Sequence, residues 1–320
     1  MYFEMSFCLS MLIALCIDRL LGWPDFLFRR FSHPVVGIGH LISLFERNLN
    51  KTTWSTSLRR TTGFLTLLFL MACFAILSFL IMLLIPEGPL GILFTSLLVW
   101  PFIASKSLSN HVEAVAKPLV THDIKAARNA VSMIVGRNSN NLDTNDIARA
   151  ALESLAENTS DGVTAPLFWG VLLGFPGVLI YKFVNTADSM IGYKSERYRD
   201  FGWASARFDD FVNYIPARLT SLLYAMISHK THEVLQITLR DASQHRSPNA
   251  GWPETSVAAS IGVKLSGPRI YDGVKTNDPW LNRDGRNPTG DDLFSGLKLF
   301  DRFLWSLTFL LFLCSVISYF

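Results

Sequence analysis

The sequence predicts an all-α, polytopic integral membrane protein, and three observations support this fold class. Half of the 320 residues are hydrophobic and 17% are charged, which is too apolar for an ordinary soluble domain. Several runs without a charge reach about 20 residues, the length that a helix needs to cross a bilayer core. The polar residues are collected in blocks between these runs. We therefore expect five or six membrane segments in a single membrane domain covering 1–320.

The apolar runs define the predicted membrane segments in chain order. The clearest run, 65–85, has 21 residues and no charge, and a Pro/Gly turn at 86–89 joins it to the next run. The segments are predicted near 3–20, 62–85, 88–105, 163–182, 211–228 and 303–320.

The segment 163–182 is interrupted at its middle by Gly174, Pro176 and Gly177. A continuous helix tolerates such a break only where the freed backbone groups find other partners. Two structures fit this pattern: one kinked span, or two half-helices that enter and return. We expect a broken or re-entrant segment here.

Three polar insertions, 22–60, 106–162 and 229–302, are predicted to be cytoplasmic and to contain helices and loops. The first carries six Lys/Arg against two acids, an excess typical of cytoplasmic loops, and the third carries ten Lys/Arg. In the second, one helix is predicted over roughly 123–135 and is ended by a polar loop at 136–141, and a second helix is predicted to start near Asp143 and Thr144, which are good N-cap residues. His33, in the first, fits either a ligand contact or a turn residue.

Several functional classes find no support in the sequence. The net charge of +3 is too small and scattered for nucleic-acid binding. The four cysteines lie inside apolar runs without metal-ligand spacing, so they are interpreted as small hydrophobic residues. The chain has no Walker loop, nucleophile elbow or His-x-x-x-His zinc helix.

Ionisable residues are concentrated in 153–218, next to apolar sequence where such groups are costly. Arg149, Glu153 and Glu157 share one face of the predicted second soluble helix, and Asp161 would extend the row. For Arg149 and Glu153 we expect a solvated Arg–Glu pair. For Glu157, Asn158 and Asp161, directly before the membrane, we expect a functional role.

Carboxylates and asparagine amides dominate the remaining polar inventory. Such oxygen ligands suit Mg²⁺, which often accompanies a phosphorylated substrate, and nearby lysines and arginines suit phosphate or carboxylate groups. The combination predicts phosphoryl or acyl-phosphate chemistry on anionic substrates, although residue spacing does not distinguish the two.

Four sequence blocks together resemble the CbiB/CobD family of cobalamin biosynthesis: ENTSDGVTAPLF, YKFVNTADSMIGYKSERYRDFG, SARFDDFVNYIPARLT and RDASQHRSPNAGWPE. The likeness extends over nearly the whole chain through DRLLGWP, HPVVGIGHLI and GPRIYDG. The resemblance implies a multi-pass inner-membrane ligase with a cytoplasmic active site. Such enzymes join adenosylcobyric acid to aminopropanol or its phosphate through an amide, with ATP and Mg²⁺ implied for activation. Departures from the family pattern at Asp25 and Asn138 leave these two residues outside the predicted site.

The resemblance also implies roles for the polar residues in these blocks. Mg²⁺ and nucleotide phosphates are expected near Glu157, Asp161, Asp188, Asp209 and Asp210. Lys194, His245 and Glu254 are expected to be catalytic, with His245 or Glu254 as the base for the amine. Substrate contacts are expected from Asn158, Asn185, Arg197, Arg218, Ser247 and Asn249.

Two alternatives compete with a synthase. The intramembrane polar row could be the pathway of a corrinoid transporter, although no inverted repeat is present. The chain could also be a non-catalytic membrane sensor or scaffold on the same fold. A complex with other membrane enzymes that assemble the nucleotide loop is expected for the synthase.

Overall fold

The protein is described by a computed structural model that covers residues 2–135, 139, 141–271 and 274–317. Helices dominate these residues, which confirms the all-α prediction. Parts of two predicted features, the loop at 136–141 and the GPRIYDG motif, lie outside the described residues, at 136–138, 140 and 272–273.

The helices follow one another with short connections. The first seven are α1 (Tyr2–Leu21), α2 (Asp25–Phe31), α3 (Pro34–Leu49), α4 (Thr56–Leu84), α5 (Pro89–Val99), α6 (Ser105–Val120) and α7 (Ile124–Ser132). The next seven are α8 (Thr144–Thr159), α9 (Ala165–Ile191), α10 (Trp203–Val212), α11 (Tyr214–Ile227), α12 (Thr231–Asp241), α13 (Gly251–Ile261) and α14 (Gly290–Ile317). A π-helical turn, Ser160–Thr164, connects α8 to α9.

Short strands occur only between α13 and α14 in the described part of the chain. They are β1 (Leu265–Ser266), β2 (Arg269–Tyr271), β3 (Val274–Thr276) and β4 (Trp280–Leu281). β1 pairs with β4 and β2 pairs with β3, both antiparallel. In the first pair Leu265 lies opposite Leu281 and Ser266 lies opposite Trp280.

Four helical stretches in the described residues are long and apolar enough to cross a membrane: Thr56–Leu84, Pro89–Val120, Thr144–Ile191 and Gly290–Ile317. A fifth arises if Phe7–Leu21 and Asp25–Leu49, bent by 104° at their junction, form one broken span. These spans confirm a polytopic helical membrane protein. Along α4, Phe69, Phe79 and Leu84 are exposed, as expected for a helix that faces lipid.

With the bent pair counted as one span, the five spans agree with the expected five or six, and the predicted segment 211–228 is not among them because it is divided. α10 ends at Val212 and α11 begins at Tyr214, so the two helices have 10 and 14 residues. Asn213 at the junction is buried, and its Oδ1 accepts a hydrogen bond from the hydroxyl of Tyr181 at 2.9 Å. Neither helix alone has the roughly 20 residues that a span requires.

The predicted break in the fourth segment is present within α9. Gly174 has φ 66° and ψ −153°, a conformation outside the helical region that residues with a Cβ rarely adopt. A Cβ at this position would also lie 2.6 Å from the ring of Phe7. Glycine is therefore required here both by the backbone conformation and by the close approach of α1.

Side chains cap the starts of several helices, α3, α7 and α8 among them. Asp123 Oδ1 accepts from the N–H of Ala126 at 3.0 Å, and Asp143 Oδ1 accepts from that of Asp146 at 2.7 Å. Asp123 caps α7, whose start the sequence predicts near this residue, and the predicted cap at Asp143 is confirmed at the start of α8. Nδ1 of His33 accepts from the N–H of Val35 at 3.2 Å, so His33 caps α3, as its interpretation as a turn residue implies.

The described residues pack into two compact units. The first contains those of Met1–Ala104, Ala165–Asn213 and Leu310–Phe320. At its centre α9 packs against α1, α3, α4 and α10. Phe183 of α9 stacks on Phe74 of α4, with ring centres 5.1 Å apart. That residues 1–320 insert into the bilayer as a single membrane domain stays a prediction.

The second unit contains Ser105–Thr164 and Tyr214–Phe309. Here α13 packs against α8, α11 and α12. Ser256 of α13 shares buried hydrogen bonds with Ser221 of α11 (2.5 Å) and Thr238 of α12 (3.0 Å). These hydroxyl contacts satisfy polar groups that would otherwise be costly inside the helix bundle.

Candidate functional site

The predicted site residues divide between the two units, and each group is described within its own unit. The first unit contains Asn185, Asp188, Lys194, Arg197, Asp209 and Asp210. The second contains Glu157, Asn158, Asp161, Arg218, His245, Ser247, Asn249 and Glu254.

The centre of the first group is Asp209 on α10. The side-chain amide of Asn185 on α9 donates to its Oδ1 at 3.3 Å. Burial raises the pKa of Asp209 to about 6, although the nearby amides of Asn185 and Asn213 and the charge of Lys182 act in the opposite direction. The charge of Asp210 adds to the increase. The structure thus brings two predicted site residues, Asn185 and Asp209, into direct contact.

Asp210 is more exposed than its neighbour and lies among cations. Burial raises the pKa of Asp210, while the charges of Arg207 and Lys194 lower it. Nη1 of Arg207 lies 3.7 Å from Oδ2 of Asp210. Lys194 therefore acts electrostatically on one predicted metal ligand. Asp188 lies half-buried near the C-terminal end of α9.

Lys182 belongs to this cluster but is not among the predicted site residues. It is half-buried on α9, and its charge acts on Asp209. One feature of the sequence points to it: Lys182 is a lone lysine within the apolar sequence of a candidate span, where an ionisable group is a functional candidate by default. The block YKFVNTADSMIGYK contains two lysines, Lys182 and Lys194, and only Lys194 is included in the predicted site.

Arg197 is engaged by a buried carboxylate rather than presented alone. Its Nε and Nη2 donate to Oε1 and Oε2 of Glu46, both at 2.9 Å. Asn50 donates from Nδ2 to Glu46 Oε1 and to the carbonyl of Arg197, both at 2.9 Å. Arg59 donates to Asn50 Oδ1 at 2.9 Å. This network holds the segment after α9, which carries Lys194, against α3 and α4; the predicted substrate contact of Arg197 stays a prediction.

In the second unit, residues 245–249 form a turn that leads into α13. The N–H groups of Asn249 and Ala250 donate to Ser247 Oγ, both at 3.2 Å. The N–H of Ser247 donates to Nδ1 of His245 at 3.1 Å. Ser247, predicted to contact substrate, therefore orders the backbone at the start of α13.

Arg218 of α11 is fixed against the same turn. Its Nη1 donates to the carbonyl of Tyr214 at 2.7 Å and to Asn249 Oδ1 at 3.2 Å, and its Nη2 donates to the carbonyl of Pro248 at 3.3 Å. Cζ of Arg218 lies 3.4 Å from the ring centre of Tyr214 and 4.6 Å from that of Trp252. The structure thus brings Arg218 and Asn249 together in a rigid, aromatic-lined cationic site.

His245 and Glu254 form a shielded pair beside this turn. His245 Nε2 lies 3.9 Å from Glu254 Oε1, and the side chains are 10% and 4% exposed. Glu254 lies in the first turn of α13, where the helix dipole favours a carboxylate. A buried titratable pair held by an ordered turn is an arrangement suited to proton transfer.

The last group lies at the junction of α8 and the π-helical turn. Glu157 and Asn158 are exposed, and Asn158 Nδ2 donates to the carbonyl of Ser154 at 2.9 Å. Asp161 lies half-buried within the π-helical turn, a type of distortion common at functional sites. The buried hydroxyl of Ser160 makes no hydrogen bond within the described residues.

The expectation of a solvated pair at Arg149 and Glu153 is wrong. Both residues are buried, at 8% and 7% exposure. Glu153 Oε1 accepts from the N–H of Ser266 on β1 at 2.7 Å, and Arg149 pairs with Asp146 and lies over the ring of Trp280. The strands between α13 and α14 cover this face of α8, which helical periodicity alone does not reveal. The two side chains have the structural role that was expected for them.

The described carboxylates do not form a dedicated metal cage. Among the described residues, no group of three or more His, Cys, Asp or Glu side chains has a metal-binding arrangement. Mg²⁺ is commonly held by one or two carboxylates together with substrate phosphates and water. A Mg²⁺ ion that binds with phosphates needs only one or two of these carboxylates, and the expected Mg²⁺ site at Asp209 and Asp210 stays a prediction.

Comparison with known proteins places the chain among proteins of cobalamin synthesis. A model of the CobD/Cbib protein family matches residues 11–300. A Rhodobacter capsulatus protein named cobalamin biosynthesis protein CobD is 49% identical over 313 residues, covering 98% of this chain and 99% of its own length. Proteins of the same name from a Sinorhizobium species and from Sinorhizobium fredii are 46% and 43% identical, covering 91% and 92% of this chain and 93% and 92% of their own lengths.

No solved structure matches the chain. The family model and the relatives both extend over most of the sequence, so the similarity includes both compact units. The chain belongs to the CobD/CbiB family of cobalamin biosynthesis proteins.

Proposed function

We propose that the protein is an amide-forming synthase that joins adenosylcobyric acid to aminopropanol or aminopropanol phosphate. Membership of the CobD/CbiB family supports a role in cobalamin biosynthesis and does not by itself define the reaction. The choice of amide formation as the reaction rests on the shielded His245–Glu254 pair. Amide formation requires a group that removes a proton from an ammonium ion, and this pair can supply one.

A carboxylate and an amine do not condense unaided, so the carboxylate must be activated. We propose that ATP provides this activation and that Asp209 and Asp210 hold a Mg²⁺ ion bound to its phosphates. The ion would neutralise charge on phosphate oxygens. Lys194, whose charge acts on Asp210, is suited to the same anionic groups. Asp188, Glu157 and Asp161 remain proposed metal ligands, and Asn158 and Asn185 remain proposed substrate contacts.

In the second unit, Arg218 is the proposed contact for the substrate's phosphate or carboxylate. Its guanidinium is held by three carbonyl-type oxygens and two aromatic rings, so it is presented in one orientation. A preorganised cation costs little further ordering when an anion binds. We propose that the active site is cytoplasmic and the membrane the inner membrane, because the insertion 22–60 carries six Lys/Arg against two acids and 229–302 carries ten Lys/Arg.

The test is an assay of the detergent-purified protein with adenosylcobyric acid, Mg²⁺, ATP and either aminopropanol or its phosphate. Mass spectrometry of the corrinoid should show the gain of one amide, with one ATP consumed for each product. Glu254→Gln should abolish most of the gain, while Glu233→Gln, at an exposed ion pair with Lys230, should not. An unchanged corrinoid mass with every combination would contradict the synthase.

Transport of a corrinoid is the second candidate. The ionisable residues in and beside the candidate spans, Lys182 and Asp209 among them, favour it to the extent that such groups mark substrate pathways. Proteoliposomes that take up an unmodified corrinoid, with no amide formed, would support transport. A complex with other membrane enzymes of nucleotide-loop assembly is proposed for the synthase and is testable by co-purification.

A further inference from the structure

The hydrogen bonds around His245 assign the position of its proton. The N–H of Ser247 donates to Nδ1 at 3.1 Å, which requires a lone pair on that nitrogen. The carbonyl of Ser247 is farther from Nδ1, at 3.4 Å, and is the weaker candidate partner. A neutral imidazole carries one N–H and one acceptor nitrogen, so the proton of His245 is on Nε2.

That N–H faces a carboxylate. Nε2 lies 3.9 Å from Glu254 Oε1, which is longer than a hydrogen bond but within the range of an ion pair. Catalytic contacts are often long before substrate binds and shorten in the complex. In this arrangement the histidine has a hydrogen to donate at Nε2. The Nδ1 lone pair already accepts from the N–H of Ser247, so between the two facing atoms Nε2 of His245 is the donor and the Glu254 carboxylate oxygen is the acceptor.

The surrounding contacts oppose a half-turn rotation of the imidazole that would reverse which side of the ring faces Glu254. Rotation of the imidazole by half a turn would break the bond from Ser247 N–H to Nδ1. The backbone of the turn is in turn held by Ser247 Oγ, which accepts from two N–H groups, and by Arg218, which donates to Asn249. The ring orientation is therefore built into the turn that precedes α13.

We infer that Glu254 is the proton acceptor of this pair and that His245 is a positioning residue, which holds the Glu254 carboxylate through its Nε2–H. This inference rests on the proposed synthase function and assigns roles that the sequence left open between the two residues. Nine positions separate the histidine before the turn from the glutamate in the first turn of α13.

In the proposed reaction the amide forms by way of an acyl phosphate. ATP transfers its γ-phosphoryl group to the corrinoid carboxylate, giving an acyl phosphate and ADP. Glu254 takes one proton from the ammonium group of the aminopropanol substrate. The amine lone pair then forms the C–N bond, the C–O bond to phosphate breaks, and phosphate leaves with that electron pair. The amide nitrogen releases a second proton to the phosphate, and Glu254 returns its proton to solvent.

Two substitutions of His245 separate positioning from proton transfer. His245→Gln keeps an N–H near the Nε2 position but cannot take up a proton at neutral pH. His245→Asn places an oxygen near the Nδ1 position, where it can accept from Ser247 N–H, and removes the group facing Glu254. If His245 positions Glu254, His245→Gln retains kcat within about 10-fold, whereas Glu254→Gln loses about 100- to 10,000-fold, the usual contribution of a general base.

The unfolding temperatures of the two His245 variants should follow the order opposite to that of their kcat values. His245→Asn should unfold close to the wild-type temperature because the cap on Ser247 is kept, and His245→Gln should unfold lower. A loss of kcat in His245→Gln as large as that in Glu254→Gln, with the protein folded, would make His245 the proton acceptor and overturn the inference. Absence of amide formation in the wild-type protein would instead overturn the proposed function.

Nitrogen NMR of protein labelled with ¹⁵N-histidine provides a readout independent of activity. The His245 signals, assigned by their loss in His245→Asn, should show a neutral ring protonated on Nε2. A ring protonated on Nδ1 would contradict the assignment even in an active enzyme. The measurement uses the full-length protein in detergent with no substrate, so it remains decisive for the hydrogen-bond pattern if the synthase assay fails.

Discussion

Arg197 donates two parallel hydrogen bonds to the carboxylate of Glu46, joining residues 151 positions apart in the sequence. Glu46 is 5% exposed, while the Arg197 side chain is 52% exposed. The carboxylate is therefore the buried partner, and it also accepts from Asn50. Together these contacts attach the segment after α9 to α3 and thereby limit the positions that Lys194 can occupy.

Replacing Glu46 should loosen this attachment. In Glu46→Gln two charge-assisted hydrogen bonds are weakened, and each such bond contributes about 1.5–3 kcal/mol. We expect a lower unfolding temperature and faster proteolysis within 192–202, measured on the detergent-purified protein. Glu113→Gln, at an exposed pair with Lys117, is the control and should change stability little. Equal effects of the two substitutions would contradict the buried role of Glu46.

Arg218→Lys tests whether the stacked guanidinium binds phosphate. Lysine keeps the charge but loses the planar fork and the stacking on Tyr214. KM for aminopropanol phosphate should rise about 10-fold or more, the equivalent of one charged hydrogen bond, with a smaller change for aminopropanol. Arg283→Lys, at an exposed arginine, should leave both values unchanged. A similar increase in KM for both amino alcohols would mean that Arg218 orders the turn and does not bind the phosphate.

Gly174→Ala should strongly destabilise the first unit. The substitution forces a residue with a Cβ into a left-handed backbone conformation and places that Cβ 2.6 Å from the ring of Phe7. Strained conformations of this kind cost about 1–3 kcal/mol before any clash is counted. The matched control is Gly37→Ala in α3, where nothing lies within 4 Å. A lower unfolding temperature for Gly37→Ala than for Gly174→Ala would contradict the break in α9.

Lys182→Met should weaken the binding of Mg²⁺-ATP. Removing the cation takes away a charge that lowers the pKa of Asp209, so the carboxylate becomes harder to ionise near neutral pH. The apparent KM for Mg²⁺-ATP should increase, and raising the pH should restore part of the loss because Asp209 then ionises. Lys125→Met, on the exposed surface of α7, is the control. An unchanged KM across pH would remove Lys182 from the nucleotide site.

Asp209→Asn and Asp161→Asn distinguish the proposed metal ligands. Asp209 lies next to Asp210 on α10, so its loss should raise the Mg²⁺ concentration needed for half-maximal activity. The same titration of Asp161→Asn tests whether the π-helical turn contributes. Asp123→Asn is the control, because asparagine caps a helix about as well as aspartate. Full activity of Asp161→Asn at every Mg²⁺ concentration would remove Asp161 from the metal set.

Local patterns determined much of this protein from the sequence alone. The apolar runs predict a polytopic helical membrane protein because the bilayer demands long uncharged helices. The break at Gly174, the start of α7 near Asp123 and the cap at Asp143 depend on the backbone within a few residues, so their positions were predictable. The approach of His245 to Glu254 also joins residues of a single short block.

Only the tertiary structure decided which partners the charged residues take. The pairing of Glu46 with Arg197, the effect of Lys182 on Asp209 and the burial of Arg149 under β4 all depend on packing between elements distant in sequence. Helical periodicity gives the face on which a side chain lies, but not what covers that face. The electrostatic environment of a carboxylate follows from its neighbours in space, and these are set when the helices pack.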